Sequence, residues 1–187
     1  MKYKTIEELI EKISDEKIKA SFNRLLSDHG EKISIAPGSS GKHQAWKGGY
    51  KDHLQEIMNL ACVLYESLSN LRQLPFKLED ALIVLFLHDL EKPWKYAGLG
   101  NEEVSFKTKE EKQAFRRQKM EEYEIQLTNS QTNALLYIEG ENEDYDPNQR
   151  VMGPLASFCH ICDNASARIW FDRPMPNETE WGQRTIQ

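Results

Sequence analysis

The sequence predicts an all-α protein, and three observations carry that expectation. Apolar residues recur at three- and four-residue spacing through most of the 187-residue chain, which is helical periodicity. Capping boxes open two of these segments, Thr5-Ile6-Glu7-Glu8 and Thr108-Lys109-Glu110-Glu111. No stretch reads as a strand, and no internal repeat breaks the pattern. Length alone allows one domain with a substantial core and gives no reason to divide it. The expectation is one domain over 1–187, with 1–30 as packing helices and 172–187 as an irregular tail.

In chain order, Thr5 caps a first short helix. Ser14 offers a cap for a second, in which Ile18, Phe22, Leu25 and Leu26 keep helical spacing until Gly30 stops it. Residues 31–49 read as a loop, long enough to suggest a function, though a solvated connector is the plainer reading for 38–41. A helix follows over about 50–71, its apolar face formed by Leu54, Ile57, Met58, Ala61, Val63, Leu64 and Leu68, with His53 in its first turn. Residues 92–107 read as irregular. A charged helix then runs to about Leu127 on a thin stripe of Phe115, Met120, Tyr123 and Leu127, a solvated face rather than a binding surface. A short helix covers 131–138 and an acidic loop 139–147, without the spacing of a calcium-binding EF-hand loop. The last helix starts at Pro154, tolerated in a first turn, and runs to about Phe171.

The organising element lies between them, from Leu78 to Pro93. Glu79 and Asp80 suit a helix N-terminus, residues 81–87 are apolar, and Pro93 ends the element. The run is too short to span a bilayer, so it reads as a buried helix. His88 and Asp89 fall in its last turn, at the edge of the core.

Composition narrows the function. A net charge of −6 argues against a nonspecific grip on duplex or single-stranded nucleic acid, which depends on Lys and Arg neutralising phosphates. A small nucleotide remains compatible, because a local pocket can be basic on an acidic protein. Behind Met1 lies no apolar core of signal-peptide length, and three cysteines give no disulfide framework, so the cytoplasm is the expected location. No membrane partner is expected, and the sequence leaves the oligomeric state open.

Four residues stand out as metal ligands: His53 early in one helix, His88 and Asp89 at the end of another, and Asp163 within the last. Three helices around one core can converge them on one ion. Two imidazoles and two carboxylates suit Mn, Fe, Co, Ni or Mg completed by water, whereas structural zinc prefers thiolates. Cys159 and Cys162 have C-x-x-C spacing but lie inside a helix without a second pair, and read as core.

Here the chain resembles the HD-domain superfamily of metal-dependent phosphohydrolases. Gly48-Gly49-Tyr50-Lys51-Asp52-His53 is similar to that family's Gly-Gly-Leu-Leu-Glu-His. Leu87-His88-Asp89-Leu90-Glu91-Lys92 is similar to its Leu-His-Asp-Ile-Gly-Lys, and Asp163 stands for its late Asp. Ala36-Pro37 and His43-Gln44-Ala45-Trp46 look like the lead-in of members that act on nucleotides and oligonucleotides. The likeness runs from His43 to Arg168. It implies an HD-like helical bundle with His53, His88, Asp89 and Asp163 as ligands and Lys92 in contact with phosphate. Many members add histidines that support a second metal. Between Asp89 and Asp163 this chain has only His160, which favours one divalent ion per chain, and Glu91 replaces a family glycine, a change that bears on access.

The resemblance implies a metal-dependent hydrolase acting on a phosphoester of a small nucleotide or short oligonucleotide. In that reading Asp89 holds both metal and attacking water and, with Lys92, forms the catalytic pair. Lys92, Lys47 and Arg168 complement phosphate, Gly48 and Gly49 offer backbone amides, and Trp46, Trp94 or Tyr96 stacks on a base, with core packing the equal alternative for each aromatic. His43 and Glu141 join the substrate-binding set. The alternative is an HD-fold module that binds a nucleotide or metal for regulation without turnover.

Overall fold

Thr5 opens the fold as its capping box predicts: its hydroxyl accepts the Glu8 N–H at 3.2 Å, and the Glu8 carboxylate accepts the Thr5 N–H at 2.8 Å. The computed structural model describes residues 3–96 and 106–173. Among them it is helical, with α1 (Ile6–Ile10), α2 (Glu16–Ile35), α3 (Gly49–Leu71), α4 (Leu78–Leu87) and α5 (Lys92–Tyr96). Then come α6 (Lys109–Glu122), α7 (Asn129–Tyr137), a 3-10 turn at Asn142–Asp144 and α8 (Pro154–Ile169). The described residues contain no strand beyond one isolated bridge between Asp146 and Gln149.

The centre of the bundle is α4. Every residue from Ala81 to Leu87 is buried, so beyond its first turn the helix has no solvent face. At about 1.5–3 kcal/mol for each large apolar side chain removed from water, α4 is held by burial rather than by helix propensity. It packs between α3, α7 and α8, while α1 and α2 cover α3 from outside. Phe22 of α2 stacks on Phe86 of α4 with ring centroids 3.9 Å apart, which ties the outer helix to the central one.

Several boundaries differ from the sequence expectation. Asp15, not Ser14, caps α2, accepting from Lys17 and Ile18 N–H; the Ser14 N–H and hydroxyl both donate to Glu79 instead. Gly30 does not stop α2. The helix bends at His29 (φ −123°, ψ 15°) and continues to Ile35 because Ile33 still finds the core. The loop before α3 therefore begins at Ala36.

Helix α4 ends at Leu87, earlier than Pro93 suggested, with His88 as its cap and Asp89 in the turn beyond. Pro93 instead falls in the first turn of α5, where a missing N–H costs nothing. The stretch expected to be irregular thus starts helical; its Gly98 and Gly100 lie outside the described residues, as does the tail from 174 onward. Helix α6 stops at Glu122, since Glu124 takes a positive φ of 55°; of the expected apolar stripe, Tyr123 is buried in the core with Met120 and Leu127 packed against it, and α6 also buries Arg116 and Lys119. Val63, Ile169 and Trp170 lie at the surface, outside the apolar faces that their spacing suggested. No helix among the described residues is long and apolar enough to cross a membrane.

Candidate metal centre

His53 sits one turn into α3 because Gly48 and Gly49 start that helix where the chain leaves the 36–48 loop. Gly48 takes the left-handed conformation at φ 80°. At Gly49 the Gln44 carbonyl passes so close that a Cβ would lie 1.8 Å from its oxygen. The residues expected to cradle phosphate therefore do a different job. The Gly48 amide donates to the Ile35 carbonyl at 3.2 Å and the Gly49 amide to Trp46 at 2.8 Å, which leaves neither free for an anion. Trp46 is similarly fixed, its indole N–H donating to Asp52 at 2.7 Å.

The four predicted ligands do come together. One ligand atom from each of His53, His88, Asp89 and Asp163 lies within 4.8 Å of every other, a spread that one ion coordinated by all four allows. His53 Nε2 stands 3.1 Å from Asp163 Oδ1 and 3.7 Å from Asp89 Oδ2. His88 Nε2 stands 3.1 Å from Asp89 Oδ2 and 3.5 Å from Asp163 Oδ1. Both imidazoles are buried, and neither Nε2 has a hydrogen-bond partner of acceptable geometry.

The other ring nitrogens explain what these atoms are. His88 Nδ1 is 2.7 Å from the Leu85 carbonyl, which can only accept, so that nitrogen carries the proton. His53 Nδ1 is 3.0 Å from Ser166 Oγ, whose own proton is donated to Glu56 Oε2 when that carboxyl is ionised; Nδ1 then donates too. In their neutral forms both imidazoles thus present bare Nε2 lone pairs towards carboxylate oxygens. Lone pairs and anions converging on one point repel unless a cation stands between them. These four side chains could hold a metal ion, and their nitrogen and oxygen donors suit a borderline or hard divalent cation.

Electrostatics agree with that reading. Burial pushes His53 down to about 4, against the pull of Asp163, and keeps it neutral. Burial acts the same way on His88, but the carboxylates of Asp89 and Asp163 outweigh it and lift this group to about 10. Where no other cation serves, the cluster holds a proton. Burial opposes ionisation of both aspartates, yet Lys92 and His88 hold Asp89 well below its usual range, and the two histidines hold Asp163 low. Lys92 Nζ forms an ion pair with Asp89 Oδ2, and for it too the carboxylate outweighs burial and raises the pKa. With both imidazoles neutral, two carboxylates against one ammonium leave the pocket negative, and the proton on His88 cancels that charge.

The remaining candidates divide. The His43 ring lies 5.1 Å from the His53 ring, half-buried beside the cluster. Lys47 and Arg168 are exposed, and no described hydrogen bond or ion pair joins them to the four residues. Glu141 accepts the Met152 N–H at 3.1 Å and so closes its own loop. Trp94 is packed edge-on between His29 and Phe115, with Lys119 4.9 Å from its ring centre. Cys159 and Cys162 are buried apart from the ligand group, as their position inside α8 suggests. Burial raises both thiols, Cys162 to about 12, so neither supplies a thiolate.

Sequence reading missed Gln44, Glu56 and Ser166, which are buried behind His53. One signal was available. Glu56 is three residues after His53 and Ser166 three after Asp163, one helical turn from each ligand on the same face. Two more buried groups, Arg116 and Glu91, brace the turn that carries His88 and Asp89. Arg116 Nη1 donates to the His88 carbonyl, and its Nε stands 4.0 Å from the Glu91 carboxylate.

Comparison of the chain with family models, with curated proteins and with solved structures found no match in any of the three. What the fold and the site define is therefore an all-helical protein with a buried two-histidine, two-aspartate cluster able to hold a cation.

Proposed function

We propose that this chain is a divalent-metal-dependent phosphohydrolase acting on a phosphoester bond of a nucleotide or short oligonucleotide, in an HD-like bundle. One observation supports the reading above the others: two buried imidazoles, in their neutral forms, turn bare Nε2 atoms to Asp89 and Asp163, with the Lys92 ammonium fixed beside Asp89. His53, His88, Asp89 and Asp163 would hold the ion. A bound divalent cation supplies Lewis acidity at a phosphoryl oxygen and makes water nucleophilic near neutral pH.

The chain's own residues supply the rest. Asp89 Oδ2, held ionised by Lys92, accepts a hydrogen bond from the attacking water and orients it. Lys92 can turn its ammonium from Asp89 to the developing charge on the phosphoryl group, a charge-assisted contact strongest in the transition state. His43, at the side of the cluster, meets the substrate. With Gly48 and Gly49 engaged elsewhere, Lys92 carries the phosphate recognition that the loop amides cannot.

A second reading, a module that binds without turnover, has one observation in its favour. Lys92 contacts the same Asp89 oxygen that faces both imidazoles, so the ammonium already neutralises part of the site. Screening wild type and Asp89→Asn against nucleoside phosphates, cyclic nucleotides and short oligonucleotides with Mn, Co, Ni or Mg separates the two. The hydrolase reading expects turnover of at least one class, falling about a hundredfold or more in the variant. Nucleotide binding with no turnover under any metal favours the module, and equal activity in both proteins removes Asp89 from the chemistry.

A further inference from the structure

Gln44 is a buried glutamine in the left-handed region (φ 41°), a conformation that non-glycine side chains seldom adopt without a compensating reason. Its surroundings give the reason. Its backbone N–H donates to the Phe171 carbonyl at 2.7 Å, and its carbonyl accepts the Gly38 N–H at 2.8 Å. Held so, its side chain reaches two ways. Oε1 accepts from His43 Nδ1 at 2.7 Å, while Nε2 faces Glu56 Oε2 and Ser166 Oγ, each at 3.2 Å.

With Glu56 ionised, hydrogen counting fixes every direction in the network. The Gln44 amide nitrogen can only donate, so Glu56 Oε2 accepts from it and also accepts the Ser166 hydroxyl proton. Having given its proton away, Ser166 Oγ can only accept from His53 Nδ1. The Gln44 carbonyl oxygen likewise can only accept from His43 Nδ1. The two chains of bonds meet at Gln44, and both leave an imidazole with its Nε2 bare. Glu56 is the terminal acceptor, buried on α3.

We propose that Glu56, Ser166 and Gln44 are positioning residues that set the Nδ1–H tautomer of His53 and of His43. In this way they present the His53 Nε2 lone pair to the cation and the His43 Nε2 to the substrate. The proposal rests on the metal-site reading for its purpose, but the tautomers themselves are a property of the metal-free protein. Substituting a residue that touches no ion should therefore change the donor set.

Long-range proton–nitrogen correlation spectra of the metal-free, nitrogen-15-labelled protein test it at pH 8.5, above the value of about 7 to which burial raises Glu56. Wild type should show His53 and His43 protonated at Nδ1. In Glu56→Met the acceptor is lost and the Ser166 hydroxyl is free to donate to His53 Nδ1, so His53 should move its proton to Nε2. Glu56→Gln keeps an acceptor and should restore the wild-type tautomer, a rescue that a packing role alone would not produce. Mn(II) titration by calorimetry should show affinity about 10- to 100-fold weaker in Glu56→Met and near wild type in Glu56→Gln. An Nε2–H tautomer of His53 in wild type overturns the proposal, whether or not the variants fold. So does a Glu56→Met protein with unchanged tautomer or unchanged Mn(II) affinity. A wild type with the expected tautomers that binds no Mn(II) would leave the relay standing and remove the metal-site reading instead.

Discussion

Residues 36–48 and 139–153 are both irregular, glycine-containing and polar, yet the fold uses them in opposite ways. The first loop is bonded into the bundle: Gly48 to Ile35, Gln44 to Phe171, and the Gln44 side chain to Glu56 and Ser166. Its tip is held by Ser39, whose hydroxyl accepts from Lys42 and His43 N–H at 2.8 Å each. The second loop is bonded mostly to itself, with Asn142 donating to Gly140, Asn148 N–H to Asp146 and Met152 N–H to Glu141. Its links to α7 run through Asn133, which donates to Val151 and accepts from Gly153, and through the Tyr137 carbonyl, which accepts the Gly140 N–H at 2.9 Å. The first loop joins the site because, beside its local bonds, Gln44 finds partners across the core on Phe171, Glu56 and Ser166. The loop at 139–153 closes on itself and can change without disturbing the cluster.

Glycine substitutions break this contrast most sharply. In the first loop Gly49→Ala forces a Cβ to within 1.8 Å of the Gln44 carbonyl oxygen, a backbone atom that cannot yield without moving the helix start. A loss of about 3 kcal/mol or more is expected in urea denaturation, together with loss of cation binding.

The next effect belongs to Glu56, whose carboxyl burial raises to about 7 from the model-peptide value of 4.5. A folded-state pKa above the unfolded one gives stability that is present below pH 4.5 and lost as pH rises through about 7. Glu56→Gln does not titrate, so its stability relative to wild type should climb across that window. The gain should reach at most about 3 kcal/mol by pH 8, at roughly 1.4 kcal/mol per pKa unit and less whatever the charged hydrogen bonds contribute. Urea midpoints at pH 5 and pH 8 check it, and a difference that shrinks with pH would contradict the burial account.

Smallest is Gly140→Ala in the second loop. Its φ of 100° makes any side chain strained, but a Cβ meets nothing nearer than 4.0 Å. About 1–2 kcal/mol should be lost with cation affinity unchanged. Loss of cation binding in this variant would mean that the two loops are coupled after all.

The same contrast marks what the sequence made legible. Capping boxes, apolar periodicity and the uniformly apolar 81–87 run were enough for an all-helical reading, because they are local signals. The four candidate ligands were legible because each is a polar residue placed on, or at the end of, a helix with a buried face. Gln44, Glu56 and Ser166 were not, since their roles arise only when residues 44 and 166, and 56 and 166, meet across the core. Gly48 and Gly49 were noticed for the wrong reason: a glycine pair at a helix start fits an anion cradle and a close backbone approach equally well, and only the carbonyl of Gln44 decides between them. Gly30 misled for a related reason, because a helix runs through a glycine whenever the residues beyond it, here Ile33, still have a core to reach.

The central claim is that His53, His88, Asp89 and Asp163 together hold a single divalent cation. Calorimetric titration of the metal-free protein with Mn(II), beside an Asp163→Ala variant whose fold is checked by circular dichroism, tests it directly. The account predicts a stoichiometry of about one per chain in wild type and binding weakened by about two orders of magnitude or more once one of the four donors is gone. Two equivalents of Mn(II) bound per chain, or undiminished affinity in Asp163→Ala, would contradict it.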